Sequence, residues 1–354
     1  MLPFSPGSLG FSIRPAVSAD MFSELPQFWF SLQGFLLVII LVVTLYFISC
    51  LLFPDVSVSD LEKKAVLITG CDSGFGYELA KKLDSRGLQV FAGCLTSEGQ
   101  AKLRSECSRQ LTTLQLDVTN ASDVQNALKE VNSHLPPQGL WAIVNNAGIG
   151  PVGLIEWQTV EEMKHVLDVN LWGMVSVTKA FLPQLKKTKG RIVNVASTWG
   201  TISLPSVTAY CISKHGVQAF CDSLRREVKQ FGVSVHILDP GMFRTNLANS
   251  EVAIKQIERL WANLDVDTKE SYGGELNLGK ALYAAQFMFF LSPHIYKVVD
   301  AMMHAVTSTR PKLRYGVGWD HKFFWRPLSL LPSEIKDLIL PSYASTQRSS
   351  VNHT

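Results

Sequence analysis

Charge is scarce in this chain. Lys, Arg, Asp and Glu make up 18% of its 354 residues, against roughly 25% in average soluble domains. The net charge is only +3, so the composition gives no sign of a nucleic-acid partner. Paired cysteine spacing is missing too. The six cysteines, at 50, 71, 94, 107, 211 and 221, form no CxxC pattern and read as free thiols. The eight histidines include no HxxH or HExxH arrangement, which argues against a metal site. The chain has no internal repeat and no low-complexity tract.

Much of the missing charge is concentrated in one place. FWFSLQGFLLVIILVVTLYFISCLLF, residues 28–53, contains no charged residue. About 20 apolar residues suffice to span a bilayer as a helix. A buried core helix rarely runs this long, and a cleaved signal peptide is shorter with a basic flank before it. The first 27 residues hold one base, Arg14, and two acids, Asp20 and Glu24, a poor match to an Arg-rich, acid-poor transit peptide. The expected organisation is an N-terminal segment (1–27), a transmembrane anchor (28–53), one folded domain (62–330) and a flexible tail (341–354). Lys63 and Lys64 follow the span, so the positive-inside rule leans toward a cytosolic location for that domain. Asn120-Ala-Ser122 and Asn352-His-Thr354 are glycosylation sequons, and a sugar on either would place the domain in a lumen.

Beyond a short linker, strand-like and helix-like segments alternate. AVLITG, LQVFAGCL, LTTLQLDVT, LWAIVNNAG, GRIVNVAS and VSVHILDPG are continuous apolar runs, as expected of strands buried on both faces. YELAKKLDSRG and SDVQNALKEVNSHL between them have helical character. Such alternation predicts an α/β fold, a doubly wound parallel sheet of the Rossmann type. A helix is predicted from about Ser206, with Val217, Phe220, Cys221, Leu224, Val228 and Phe231 forming its buried stripe and Gly232 ending it. Residues 246–330 are less regular. KALYAAQFMFFLSP and HKFFWRPLSLLP fit either a packed extension of the core or an apolar lid over a substrate that also touches a bilayer.

TGCDSGFG, residues 69–76, follows the first predicted strand and opens a helix. Gly70, Gly74 and Gly76 permit a tight turn and close approach of backbone to a pyrophosphate, with the helix N–H groups pointing at the anion. Tyr210 and Lys214 are four residues apart and share a helical face. An ammonium beside a phenol favours the phenolate, which makes Tyr210 a candidate general acid/base. Ser197 stands 13 residues upstream at the end of a strand, where its hydroxyl can hold a substrate oxygen near Tyr210.

With these residues in this order, the chain resembles the short-chain dehydrogenase/reductases. TGxxxGxG, NNAG (145–148), Ser197, YxxxK and PG (240–241) all occur at that family's spacing, over about residues 62–330. KAVLITGCDSGFG, GLWAIVNNAG, AFCDSLRREV and PGMFRTN resemble the branch holding retinol dehydrogenases and 17-beta-hydroxysteroid dehydrogenases. VFAGCL, VNLWG and YCISKHGVQAF are similar to 3-hydroxybutyrate dehydrogenases. The resemblance implies a catalytic set of Asn170, Ser197, Tyr210 and Lys214, with Tyr210 handling the proton on the substrate oxygen. Lys214 would hold the nicotinamide ribose and depress the pKa of Tyr210, Ser197 would orient the substrate, and Asn170 would hold a relay water. Asp72, Ser73, Gly74, Phe75 and the other loop glycines would bind the cofactor pyrophosphate region and Asp117 the adenine. Asn146, Ala147 and Gly148 would line the cofactor, and Pro240, Gly241 and Thr245 would shape the nicotinamide pocket. One departure is DPG where related members have EPG, with no loss of activity expected. A homodimer is also implied.

A 2′-phosphate needs a basic partner. FAGCLTSEG (91–99) and the glycine loop carry none, and they contain Glu98 and Asp72. The expected cofactor is therefore NAD, unless Asp72 only hydrogen-bonds backbone. An anchored enzyme with an aromatic C-terminal region suggests an apolar alcohol or ketone substrate, of steroid or retinol type, at the endoplasmic reticulum membrane. A mitochondrial membrane is the alternative. Two other readings stand beside it. One is a 3-hydroxybutyrate dehydrogenase, with Arg244, Lys312 or Arg314 pairing the carboxylate. The other is a catalytically silent NAD-binding membrane scaffold.

Overall fold

The computed structural model describes residues 25–52, 56–245, 250–274 and 291–340. The N-terminal segment before Leu25, the tail from 341 and most of KALYAAQFMFFLSP lie outside the described residues. The chain divides at residue 55 into a short N-terminal unit and the main unit, Val56–Thr354.

The N-terminal unit contains helix α1, Leu25–Leu52, 28 residues without a charge. Leu32 to Leu45 expose their large apolar side chains, Leu37 at 66% and Phe35 at 63%. Side chains in α1 are described at 31–45 and 48 only. Among the described residues no helix is long and apolar enough to cross a membrane.

The main unit is built on seven parallel strands. They are β1 (Ala65–Thr69), β2 (Gln89–Cys94), β3 (Thr112–Gln115), β4 (Leu140–Asn145), β5 (Arg191–Val195), β6 (Ser234–Pro240) and β7 (Arg314–Val317). Their order in the sheet is β3-β2-β1-β4-β5-β6-β7. Every residue of β1 and β5 is buried. Alternate residues of β1 face opposite ways: Val66 and Ile68 join one core, Ala65 and Leu67 the other. The first core takes in α2 (Gly74–Asp84) and α10 (Tyr296–Thr307). The second takes in α4 (Ala121–His134), α6 (Met174–Thr188) and α7 (Thr208–Val228). Helices thus cover both faces of the sheet, as the continuous apolar strands require. The remaining helices used below are α3 (Ser97–Glu106), α5 (Val160–Leu167), α8 (Ser250–Ala262) and α9 (Val266–Ser271).

The strand order reverses where β1 neighbours both β2 and β4. In open parallel sheets the crevice beyond the strand C-termini at that point is the usual ligand site. Helix α7 carries the predicted stripe, with Val217, Cys221, Leu224 and Val228 buried and Phe220 half-buried. Phe231 departs from it and is 40% exposed. The α-helix ends at Val228, and a 3₁₀ turn over Lys229–Phe231 follows. That change of period turns Phe231 out of the stripe, and Lys186 Nζ lies 3.8 Å from its ring centre. Gly232 has φ +74 and ends the turn as expected.

Candidate active site

The crevice holds a cavity of about 810 Å3 along the strand C-termini. Of the predicted site residues, all but Gly76 and Asn170 line it. Its first wall is the β1–α2 turn. Gly70 and Gly74 sit at φ +69 and +65, conformations open chiefly to glycine. A side chain at Gly70 would come within 2.8 Å of the Ala147 backbone. Gly76 serves the same packing from behind: a Cβ there would meet Asn146 Nδ2 and Gly70 O at 2.5 Å. The Ser73 side chain makes no cap hydrogen bond to α2, so that side chain leaves the helix's first N–H groups unused.

The NNAG segment is pinned to this turn by a residue the motif reading passed over. Thr69 Oγ1 accepts from Asn146 N and Ala147 N, each at 3.0 Å. Asn146 Nδ2 donates to Thr69 O and Gly70 O, both at 3.0 Å. Thr69 lies on a strand and its pattern is simply apolar-run, so only the folded geometry shows its job.

Asp72 does not stand loose among the glycines. Its Oδ2 accepts from Leu95 N at 2.8 Å, and its Oδ1 accepts from Thr96 N and Thr96 Oγ1 at 2.9 and 2.7 Å. The carboxylate therefore fixes the turn after β2 against the turn after β1. Asp117 Oδ1 accepts from Thr119 N and Oγ1 at 2.9 and 2.7 Å. Asn120 caps α4, its Oδ1 accepting from Ser122 N at 2.8 Å.

Asn170 sits in a π-helical turn, Asp168–Gly173, between α5 and α6. Such widened turns often occur at functional sites. This one carries Asn170, fully buried, to the chain beyond NNAG. Its Oδ1 accepts from Ile149 N at 2.8 Å and its Nδ2 donates to Ile149 O at 2.8 Å and to Ser213 Oγ at 3.0 Å. Ser213 Oγ in turn donates to Tyr210 O at 2.7 Å. The π turn is a local widening that periodicity does not announce.

Tyr210 and Lys214 occupy the first turns of α7, 8% and 3% exposed. Lys214 Nζ donates to Val195 O at 2.9 Å and lies 5.5 Å from the Tyr210 ring centre. Burial pushes the Tyr210 phenol up to about 12, with a Ser197 hydrogen bond pulling the other way. Burial also pushes the Lys214 ammonium down to about 8. The expected depression of Tyr210 by Lys214 is therefore not what the fold displays. The ammonium is turned to a carbonyl, and desolvation of the phenol outweighs its hydrogen bond. Ser197 Oγ accepts from Trp199 N at 3.2 Å, and Trp199 packs edge-on to Tyr210 at 6.0 Å.

Beyond these polar groups the lining turns apolar: Val152, Leu154, Trp157, Leu204, Ile257 and Leu291. Trp157 packs edge-on against Trp261 and Tyr272, at 5.3 and 5.6 Å, in a small core shared with α8. Part of residues 246–330 is therefore both packed core and cavity wall. Among Lys and Arg, Lys214 alone lines the cavity among the described residues.

This geometry, a dinucleotide-type turn at one end and a Ser–Tyr–Lys group beside an apolar chamber, suits hydride transfer at an alcohol carbon. Residues 64–255 match the family model of the short chain dehydrogenases. The chain is 45% identical over 284 residues to retinol dehydrogenase 7 of Rattus norvegicus, covering 80% of this chain and 89% of that protein. It is 44% identical over 286 residues to human 17-beta-hydroxysteroid dehydrogenase type 6, covering 80% and 89%. A solved short-chain dehydrogenase from Streptomyces avermitilis superposes with a TM-score of 0.61 at 25% identity, over 75% of this chain and 92% of that one. The chain belongs to the short-chain dehydrogenase/reductase family, in the branch of the retinol and 17-beta-hydroxysteroid dehydrogenases.

Proposed function

We propose that the protein is a membrane-anchored, NAD(H)-dependent alcohol dehydrogenase acting on an apolar alcohol or ketone of steroid or retinol type. The observation that carries this reading is the union, in one cavity, of Ser197, Tyr210 and Lys214 with a chamber lined by Val152, Leu154, Trp157 and Ile257. Tyr210 gives or takes the proton on the substrate oxygen, Ser197 orients that oxygen, and Lys214 binds the ribose hydroxyls. Asn170, assigned to a relay water by resemblance, has its amide engaged by Ile149 and Ser213, and through Ser213 it braces the turn of α7 that carries Tyr210. The nicotinamide, when bound, supplies or accepts the hydride. The residues present fit it: positive-φ glycines clear the backbone at 70 and 74, and the Ser73 side chain does not occupy the start of α2.

NAD is favoured over NADP by charge. Asp72 is engaged by backbone N–H groups of the turn after β2, so the reading rests on the missing base: no Lys or Arg other than Lys214 lines the cavity among the described residues. A 2′-phosphate there would have no basic partner. A 3-hydroxybutyrate enzyme would want a base for the carboxylate. Arg244, Lys312 and Arg314 do not line the cavity, and Arg314 is committed to Asp222 at 2.8 Å. In the sequence, residues 28–53 carry no charge, and about 20 apolar residues suffice to span a bilayer core as a helix. That supports an anchor, with the endoplasmic reticulum as the proposed membrane.

Steady-state assays with NAD and NADP against retinol, androgens, estradiol and 3-hydroxybutyrate test the whole reading. Turnover of an apolar alcohol with lower KM for NAD is expected. A clear NADP preference would overturn the cofactor assignment, and NAD binding without turnover of any of these compounds would favour the silent scaffold. Alkaline carbonate extraction that releases the full chain from membranes would overturn the anchor.

A further inference from the structure

The segment after β7 makes two contacts, one to the loop after β6 and one to the turn after β5, both of which line the cavity. Asp320 Oδ2 accepts from Met242 N at 2.7 Å, in the loop Pro240-Gly241-Met242. His321 Nδ1 shares a hydrogen bond with Thr198 Oγ1 at 2.7 Å, in the turn opened by Ser197. Thr198 and His321 are 1% and 5% exposed, so the second bond is made away from water. The loop is also held by Gly241 N, which donates to Val317 O at 2.7 Å.

Three glycines clear room for this pair. A side-chain carbon at Gly241 or at Gly318 would overlap the Asp320 carboxylate, and one at Gly316 would meet the His321 ring at 2.5 Å. Gly318 also holds φ +107, a conformation few other residues adopt. The glycine of the PG motif is thus explained by Asp320: it lets a carboxylate sit against the backbone that precedes Met242.

We propose that Asp320 and His321 are positioning residues which tie the nicotinamide loop to the Ser197 turn, so that cofactor and substrate oxygen are held in one register. The inference rests on the proposed function, in which 240–245 shape the nicotinamide pocket and Ser197 orients the substrate. Asp320 sets the loop from the cofactor side and His321 sets Thr198, hence Ser197, from the substrate side. Burial lowers the His321 pKa, with Arg326 and Lys322 adding to it and Asp320 opposing. A neutral imidazole therefore meets the Thr198 hydroxyl.

Two pairs of variants of the full chain in detergent test this, with NADH titrated by fluorescence and turnover measured on whichever apolar alcohol the native enzyme oxidises. Asp320→Asn retains an oxygen acceptor for Met242 N and should bind NADH within about twofold of native. Asp320→Glu keeps the charge but adds a carbon where the glycines leave no space, and should weaken NADH binding about fivefold to tenfold, the worth of about one lost hydrogen bond. His321→Ala should lower kcat about tenfold at unchanged NADH affinity, and His321→Asn, which can still reach Thr198, should recover much of it. A merely structural role would lower the active fraction, so kcat would fall in both pairs while NADH affinity stayed native. That result, or equal NADH affinity in Asp320→Asn and Asp320→Glu, overturns the inference. Native protein that binds no NADH would instead overturn the function on which it rests.

Discussion

Lys214 and Tyr210 share one face of α7, yet the Lys214 ammonium is spent on Val195 O at 2.9 Å and stands 5.5 Å from the centre of the Tyr210 ring. Both groups are buried, and burial moves each toward its neutral form: the phenol up to about 12, the ammonium down to about 8. An ammonium buried in this way carries a desolvation cost for as long as it stays charged.

That arrangement has a consequence for stability. The folded pKa of Lys214 lies below its ordinary 10.5, so between about pH 8 and 10.5 the unfolded chain binds more protons and stability rises with pH. Below pH 8 the full cost of the buried ammonium is present, about 3 kcal/mol as an upper bound at 1.36 kcal/mol per unit. Lys214→Met should abolish turnover and weaken NAD binding, yet unfold at higher temperature than the native protein at pH 7. The gain should shrink as pH rises from 8 to 10. Thermal unfolding followed across that range checks it, and a destabilised Lys214→Met at pH 7 would contradict the argument. Tyr210→Phe, by contrast, should keep cofactor affinity and lose about 10²–10⁴-fold in kcat.

Asp239, the acid of DPG, behaves with the opposite sign. It is 4% exposed. Burial raises its pKa to about 6, against Gln218, Arg314 and Arg326, which lower it, and Asp222 adds to the rise. Its Oδ1 accepts from Gln218 Nε2 at 2.5 Å, one helical turn beyond Lys214, and Arg314 Nη1 stands 3.9 Å from Oδ2. A carboxyl whose folded pKa exceeds the ordinary 3.8 binds more protons when folded, so its contribution to stability falls as pH rises from about 4 to 6. Asp239→Asn should therefore raise the unfolding midpoint at pH 7.5, with the difference narrowing as pH drops through 6 toward 4. Urea melts at pH 4.5 and 7.5 decide the matter. A variant that is less stable at pH 7.5 than at pH 4.5, relative to native, would show that Arg314 outweighs desolvation.

Asp72 gives a test of cofactor choice that does not depend on the catalytic residues. Removing its carboxylate in Asp72→Ala leaves Leu95 N and Thr96 N without their acceptor. Bonds to a charged group contribute roughly 1.5–3 kcal/mol, and exposure of this turn places the loss toward the lower end. Adding a base beside the vacated position, in Asp72→Ser with Leu95→Arg, should raise kcat/KM for NADP relative to NAD by at least about tenfold, which corresponds to 1.36 kcal/mol. Paired measurements with the two cofactors check this. An unchanged ratio would mean that Asp72 only braces the two turns.

Much of the fold was legible because its signals are local and repeated. Six apolar runs become strands β1 to β6, and the positive-φ glycines fall where TGCDSGFG places them. What could not be read is long-range or brief. Strand β7 is four residues with Arg314 and Gly316 half-open or exposed, too short to stand out by periodicity. Phe231 fits the stripe arithmetic but lies past the point where the helix tightens. Thr69 and Ser213 lie inside quoted motifs but act through partners far along the chain, and Asp320 and His321 each reach a distant loop through one hydrogen bond, so spacing does not report their roles. The pKa of Tyr210 is the clearest case. A four-residue spacing shows that an ammonium is near a phenol. The balance is set by burial against the Ser197 hydrogen bond, which spacing does not report.

Asn170 is fully buried, and its amide is used by Ile149 N, Ile149 O and Ser213 Oγ. Gly148 passes so close that a Cβ there would be 3.1 Å from Asn170 Oδ1 and 3.7 Å from Lys214 Nζ. Asn170→Asp keeps the shape and the acceptor but offers Ile149 O and Ser213 Oγ no donor, and it buries a charge beside a carbonyl. Leaving a buried polar group unpaired costs about 1–3 kcal/mol, more where charge is involved. Asn170→Asp should thus lose several degrees in unfolding temperature at pH 7.5 and regain part of them at pH 5, where the carboxyl can protonate and donate. Asn170→Ala leaves the same partners unpaired without a charge, so its deficit should be independent of pH. If both variants show the same pH dependence, the carboxylate is reaching water and the π turn is looser than its hydrogen bonds imply.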